Sequence, residues 1–161
     1  NWVDPLGLMA KSEDCPDAGG KAFIYQYGQG RDVHFAIVVK TKNWTVGTEQ
    51  LGGIGTKTLI SEFDPLEPSE KPLTDVIEVT LPNAKQAINY QKRRIYEDDQ
   101  AFSVANYNAD ELSTPDYDPV NQSCLTHVFD VLSEGGIEDA PKTSEANLKT
   151  AKYLKSLKNR G

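Results

Sequence analysis

The 161-residue sequence predicts a single α+β domain, an antiparallel sheet packed against helices. Three observations carry that expectation. Between Lys21 and Leu81 the chain is built of short alternating or fully apolar runs separated by turn residues, as sheet strands are. From Pro82 onward the apolar spacing changes to the three-and-four pattern of helices. Finally, Asn121-Gln122-Ser123-Cys124 opens an apolar helical stretch that runs to Gly135-Gly136.

Residues 10–20 are polar and end in Pro16-Asp17-Ala18-Gly19-Gly20, a loop. Lys21 to Tyr27 alternates with aromatic and β-branched residues, a strand, and Gly28 to Asp32 is a turn. Val33-His34-Phe35-Ala36-Ile37-Val38-Val39 is nearly continuous in apolar residues, which predicts a central strand buried on both faces. Thr41-Lys42-Asn43 makes a hairpin turn, and Trp44 to Glu49 returns as the partner strand. Leu51 to Thr58 has a superficial likeness to a phosphate loop, but Thr56 stands where a glycine should precede the lysine, so a flexible loop is expected. Leu59 to Phe63 is a short strand, Pro65, Pro68 and Pro72 mark a loop, and Val76 to Leu81 is another strand.

Pro82-Asn83 then starts a helix through about Tyr96, with Ala84, Ala87, Ile88 and Ile95 on its apolar side. Glu97, Asp98, Asp99, Asp110, Glu111, Asp116 and Asp118 follow with no intervening basic residue. They read as a solvated acidic segment, or alternatively as a rim that selects cationic peptides. After a connection containing Pro141, a last helix from about Ser144 places Leu148, Ala151, Leu154 and Leu157 on one side. Lys149, Lys152, Lys155 and Lys158 are left to solvent.

Charge and composition exclude several function classes. With 17 Lys plus Arg against 24 Asp plus Glu, the net charge is -7, which disfavours a nucleic-acid partner held by many phosphate contacts. No apolar run approaches the ~20 residues of a membrane span. Cys15 and Cys124 are too few for a disulfide framework, and no cluster has metal-ligand spacing, so neither metal nor cofactor is expected.

The chemistry that remains centres on Cys124. Ser123 and Asn121 are good N-cap residues, and Leu125, Val128, Phe129 and Leu132 share one helical face. Cys124 is thereby placed in the first turn of a mostly buried helix, where free N–H groups and the macrodipole favour a thiolate. The alternatives are an inert buried thiol, or a Cys15–Cys124 disulfide that would contradict a nucleophile. A cysteine nucleophile needs a base, and the two histidines are His34, in or beside the apolar strand, and His127, three residues after the cysteine. Side chains on one short helix rarely reach the geometry of proton transfer, so His127 reads as packing or surface. Gln26 and Gln122 are both candidate oxyanion donors beside the Cys124 N–H.

The order of these elements is a strand with His34, a hairpin, further strands, a helix, and then Asn-Gln-Ser-Cys opening a helix. It resembles the circularly permuted papain-like hydrolases, which include permuted NlpC-type and lecithin-retinol-acyltransferase-like enzymes and carry the histidine strand before the cysteine helix. The resemblance spans roughly Phe23 to Gly136. It implies a papain-like antiparallel sheet packed against a nucleophile helix and flanking helices, with Cys124 as nucleophile and His34 as general base. In such enzymes an orienting residue sits on the strand paired with the histidine strand. A hairpin centred on Thr41-Lys42 would set Glu49 opposite His34, and a one-residue change would set Gln50 there. A second histidine is missing from that region, a departure from the acyltransferase-like branch that favours a peptidase or amidase.

At the start of the chain, Asp4, Pro5, Gly7 and Leu8 resemble the DPxGL motif where the core of Rhs polymorphic toxins meets a variable C-terminal toxin. The resemblance implies self-cleavage between Leu8 and Met9, leaving residues 1–8 as a junction remnant and residues 9–161 as one toxin domain. It further implies an antibacterial effector of the type VI secretion kind, delivered into a recipient cell and countered by a cognate immunity protein. The expected activity is therefore a cysteine protease acting on a protein or peptide in the recipient, in its cytoplasm rather than its periplasm. Alternatives are the same site used as a peptidoglycan amidase or endopeptidase, or as a lipid acyl hydrolase or transferase. From another class comes a non-enzymatic binding domain with Cys124 merely buried.

Overall fold

Phe35, Ala36, Ile37, Val38 and Val39 are all buried, so the strand they form lies inside the molecule with both faces covered. In the computed structural model, which describes residues 19–30, 33–143 and 148–160, that strand is β2, His34–Lys40. The other strands are β1 Gly20–Tyr27, β3 Thr45–Leu51, β4 Leu59–Glu62 and β5 Leu73–Leu81. Every adjacent pair is antiparallel, in the order β4-β3-β2-β1-β5. The first four strands form a meander, and β5 crosses back to pair with β1. Three α-helices follow among the described residues: α1 Ala84–Val104, α2 Cys124–Glu134 and α3 Leu148–Arg160, with a short 3-10 turn at Ala109–Glu111. The architecture is α+β, with strands first and helices after, as expected.

One sheet face carries Ala22, Ile24, Phe35, Ile37, Val39, Ile77, Val79 and Leu81, and these close on Val128, Phe129, Val131 and Leu132 of α2. Helix α2 is buried almost all round rather than on one stripe. Phe129 is fully enclosed, and truncating such a ring to alanine costs ~3–5 kcal/mol. The Gly135-Gly136 stop is required by packing as well as by turning. A Cβ on Gly135 would meet Leu81 Cδ1 at 2.8 Å, and Gly136 has φ 100° beside Pro82.

Four expectations need correction. The β2–β3 hairpin turns about Lys42-Asn43, because Thr41 N–H donates to the Trp44 carbonyl at 2.8 Å. Glu49 therefore pairs with Ala36 and not with His34. A shift of two preserves the side-chain face, so Glu49 and His34 remain diagonal neighbours on one side of the sheet.

Helix α1 does not end near Tyr96 but continues to Val104. Arg93 and Arg94 pair with Glu97 and Asp98 one turn on, so the acidic run sustains the helix instead of dissolving it. Nor is that run uniformly solvated, since Asp98 is buried and its carboxylate accepts the Ile60 N–H at 2.8 Å. In α3, Leu157 is fully buried and Leu154 packs against the core as expected, but Ala151 is exposed and Tyr153, set edge-on to Phe129, joins the buried face in its place. The segments 1–18 and 144–147, with Leu8, Met9, Cys15 and the predicted helix start at Ser144, lie outside the described residues.

Candidate active site

Ser123 is the N-cap of α2: its hydroxyl accepts the Thr126 N–H, while Thr126 Oγ1 accepts the Ser123 N–H at 2.7 Å. This reciprocal box uses threonine where glutamate is more usual, and it fixes the first turn. Cys124 is the first residue of that turn, a half-buried free thiol at the positive end of the helix. The approach to it is also braced. Asp118 collects the N–H groups of Val120 and Asn121 and the Asn121 amide, contacts that lower its pKa below the usual carboxylate range. Asp118 and Gln122 exchange backbone hydrogen bonds of 3.1 and 2.8 Å.

His34 occupies the opening position of β2, at the sheet end where the N-terminus of α2 arrives. Its Nε2 lies 2.8 Å from Glu49 Oε1, and both side chains are about three-quarters covered, at 27% and 22% exposure. The Cys124 side chain lies beside the imidazole, and its interaction with the ring is the largest influence raising the His34 pKa to about 9. The hydrogen bond to Glu49 adds to it, burial opposes it, and the charges of Cys124 and Glu49 reinforce it. With Nε2 donating to Glu49, Nδ1 is the nitrogen left to exchange a proton with sulfur. The fold thus brings Glu49, His34 and Cys124 into one line, assembled from β3, β2 and α2, with Glu49 hydrogen-bonded to the imidazole and the sulfur beside it.

The other sequence candidates fall in different places. Gln50 is buried and does not hold the imidazole; its Nε2 donates to the Gln122 carbonyl at 3.2 Å, tying the end of β3 to the turn before Cys124. Gln122 turns an exposed side chain outward, whereas Gln26 lines the same groove as Cys124. His127 is 3% exposed, with Nε2 2.8 Å from Thr48 Oγ1 and its ring stacked on Tyr90. Burial, with a smaller effect of the Arg94 charge, depresses its pKa to about 3, so it is a neutral core histidine.

A groove of about 820 Å³ opens beside Cys124, with Phe35, Ile77, Leu125 and Leu154 among its walls. Tyr117 also lines it, a residue that sequence reasoning passed over because an isolated tyrosine in an acidic loop carries no pattern. Its pKa is raised by burial and then by the Cys124 charge, which places the phenol in the same electrostatic environment as the sulfur. No group of three or more His, Cys, Asp or Glu side chains is placed to hold a metal among the described residues, and no described helix is long and apolar enough to cross a membrane.

Comparison with family models, curated proteins and solved structures finds no match. The chemistry of the site rests on its own geometry. A half-buried thiol at a helix N-terminus, a partnered imidazole and a carboxylate that fixes the imidazole form a set suited to nucleophilic attack on a carbonyl.

Proposed function

We propose that this protein is a cysteine hydrolase of the circularly permuted papain-like kind, acting as an antibacterial toxin that cleaves a protein in a recipient cell. The observation that carries the reading is the Glu49–His34–Cys124 line ending at the first turn of α2. A protonated imidazole beside a thiol favours the thiolate, and the N-terminal N–H groups of α2 favour negative charge at the same point. Cys124 Sγ attacks the substrate carbonyl, forming a C–S bond and an oxyanion. The Cys124 N–H and the Gln26 amide, or the Tyr117 hydroxyl, are the donors at hand for that oxyanion. His34 passes its proton to the leaving amine as the C–N bond breaks, then takes one from the water that hydrolyses the thioester. Glu49 holds the ring orientation throughout.

The toxin assignment is supported by the DPxGL-like residues Asp4, Pro5, Gly7 and Leu8, and with it come a mature start at Met9 and a cognate immunity protein. The test is expression of wild type and Cys124→Ala in bacterial cytoplasm, with mapping of new peptide termini across the proteome. Growth arrest with new termini only in the wild type is expected. Equal toxicity of a well-expressed Cys124→Ala protein would remove the hydrolase reading.

A further inference from the structure

Helix α3 lies beyond the stretch that resembles the papain-like hydrolases, yet it forms one wall of the groove beside Cys124. Leu154 faces the apolar floor made by Phe35, Ile77 and Leu125, and Lys155 and Lys158 stand along the same wall. The two cations are not equivalent. Lys158 Nζ is held by both carboxylate oxygens of Asp75, at 3.0 and 3.1 Å. Lys155 is exposed and has no carboxylate partner among the described residues. Lys155, Lys158 and Asp75 therefore leave a positive charge at the groove, on a chain whose net charge is -7. Of the acidic residues that suggested a rim for cationic peptides, Asp116 pairs with Lys57, Asp98 with Arg94, and Asp118, between the groove residues Tyr117 and Pro119, accepts the N–H groups of its own turn.

We propose that this groove selects peptides carrying a large apolar side chain beside the attacked carbonyl and an acidic side chain close by in sequence. The apolar group rests on Phe35, Ile77 and Leu154, and the carboxylate faces Lys155. An extended peptide suits the lining better than a hydrocarbon chain does. Gln26, Tyr117 and the Asp75–Lys158 pair place polar groups in the groove that an acyl chain would desolvate without replacing their hydrogen bonds. A peptide backbone supplies both donors and acceptors for them. The selectivity for this class rests on the hydrolase reading, but the groove itself does not.

The experiment digests a proteome-derived peptide library with the full chain, using wild type, Lys155→Glu and Cys124→Ala. Lys155 is exposed, so its reversal leaves the core untouched. Wild-type cleavage sites should be enriched in an apolar residue followed or preceded closely by Asp or Glu. In Lys155→Glu, kcat/KM for the best such peptide should fall about ten-fold while its lysine-substituted counterpart gains. An unchanged preference in Lys155→Glu overturns the proposal, as does Cys124-dependent release of fatty acid from vesicles without any peptide cleavage. If no cleavage exceeds the Cys124→Ala control, the hydrolase reading has failed, and binding of Cys124→Ala to an immobilised peptide array decides the groove alone. Retention of apolar–acidic peptides that is lost on adding Lys155→Glu upholds the proposal, and any other binding pattern, or none, overturns it.

Discussion

His34 and His127 are the same side chain in opposite circumstances. Both lie beside Cys124 or within a helical turn of it, and the tertiary structure drives their proton affinities apart. His34 sits at the end of the sheet with a sulfur on one side and Glu49 on the other, and its pKa rises to about 9. His127 points from α2 into the core, where burial drops its pKa to about 3 and Thr48 is its partner. Thr48 Oγ1 also accepts from Gln91 Nε2 at 2.8 Å, so its hydroxyl proton is free to donate to the neutral imidazole. One histidine can hold and release a proton at working pH. The other welds α2, β3 and α1 together.

The largest effect that could break this contrast is on turnover. Cys124→Ala and His34→Ala should each lower hydrolysis about a thousand-fold or more while circular dichroism still reports a folded protein. His34→Ala should also melt lower below about pH 9, where the imidazolium stabilises the fold. His127→Gln should instead keep activity per folded molecule. If His127→Gln destroys activity in a protein that remains folded, the roles have been assigned to the wrong histidine.

Next in size is the Glu49 contribution. Replacing Glu49 with Gln keeps the shape and removes the charge, so turnover should fall about ten-fold while the nucleophile and base remain. The sign of the accompanying pH effect is fixed by the raised His34 pKa. The imidazolium is present below about 9 and is lost as pH rises through it, so His34 sets the alkaline limb of the rate profile. Without the Glu49 charge that limb should move to lower pH. A limb that stays in place in Glu49→Gln would show that the carboxylate has no electrostatic role.

A stability measurement reads the same contrast. A folded pKa of about 3 against about 6.5 unfolded means that His127 takes no proton where the unfolded chain does, so stability falls as pH drops below 6.5. Between pH 6.5 and 5, above most carboxylate titrations, the loss should be about 1–2 kcal/mol in urea melts, and His127→Gln should flatten it. His34 contributes in the opposite direction. Its raised pKa stabilises the fold fully below about 6.5, and that contribution is lost as pH rises through about 9.

The smallest expected effect belongs to Gln50. Gln50→Ala frees the Gln122 carbonyl, and should cost about 1 kcal/mol of stability and about three-fold in turnover by loosening the turn before Cys124. A loss as large as that of Glu49→Gln would mean that Gln50 does more than tether the loop.

Much of the fold was legible because the signals are local. The apolar run from Phe35 to Val39 announces a strand covered on both faces, and Ser123 followed by the buried pattern of α2 announces a capped helix. Less was legible where charges or isolated polar residues decide structure. The carboxylates after Tyr96 look like a solvated loop until Arg93 and Arg94 are seen one turn before them and Ile60 across from Asp98. Gln91 is fully buried on α1 and bonded to Thr48 and Val46, and nothing in the surrounding sequence distinguishes it from a surface glutamine.

By itself, then, the sequence determined the strands-then-helices order and the placement of Cys124 at the head of a buried helix, whereas the shortlist of His34, Glu49 and Gln50 came from the resemblance to permuted papain-like hydrolases. The first two follow from periodicity and capping, which depend only on near neighbours along the chain. Tertiary structure alone decided that Glu49 reaches His34 along a diagonal, that Gln50 holds the turn, that His127 is dry, and that α3 lends a lysine to the groove. Each of those outcomes depends on strand register and on which surfaces meet, and both are set by the packing of elements far apart in sequence.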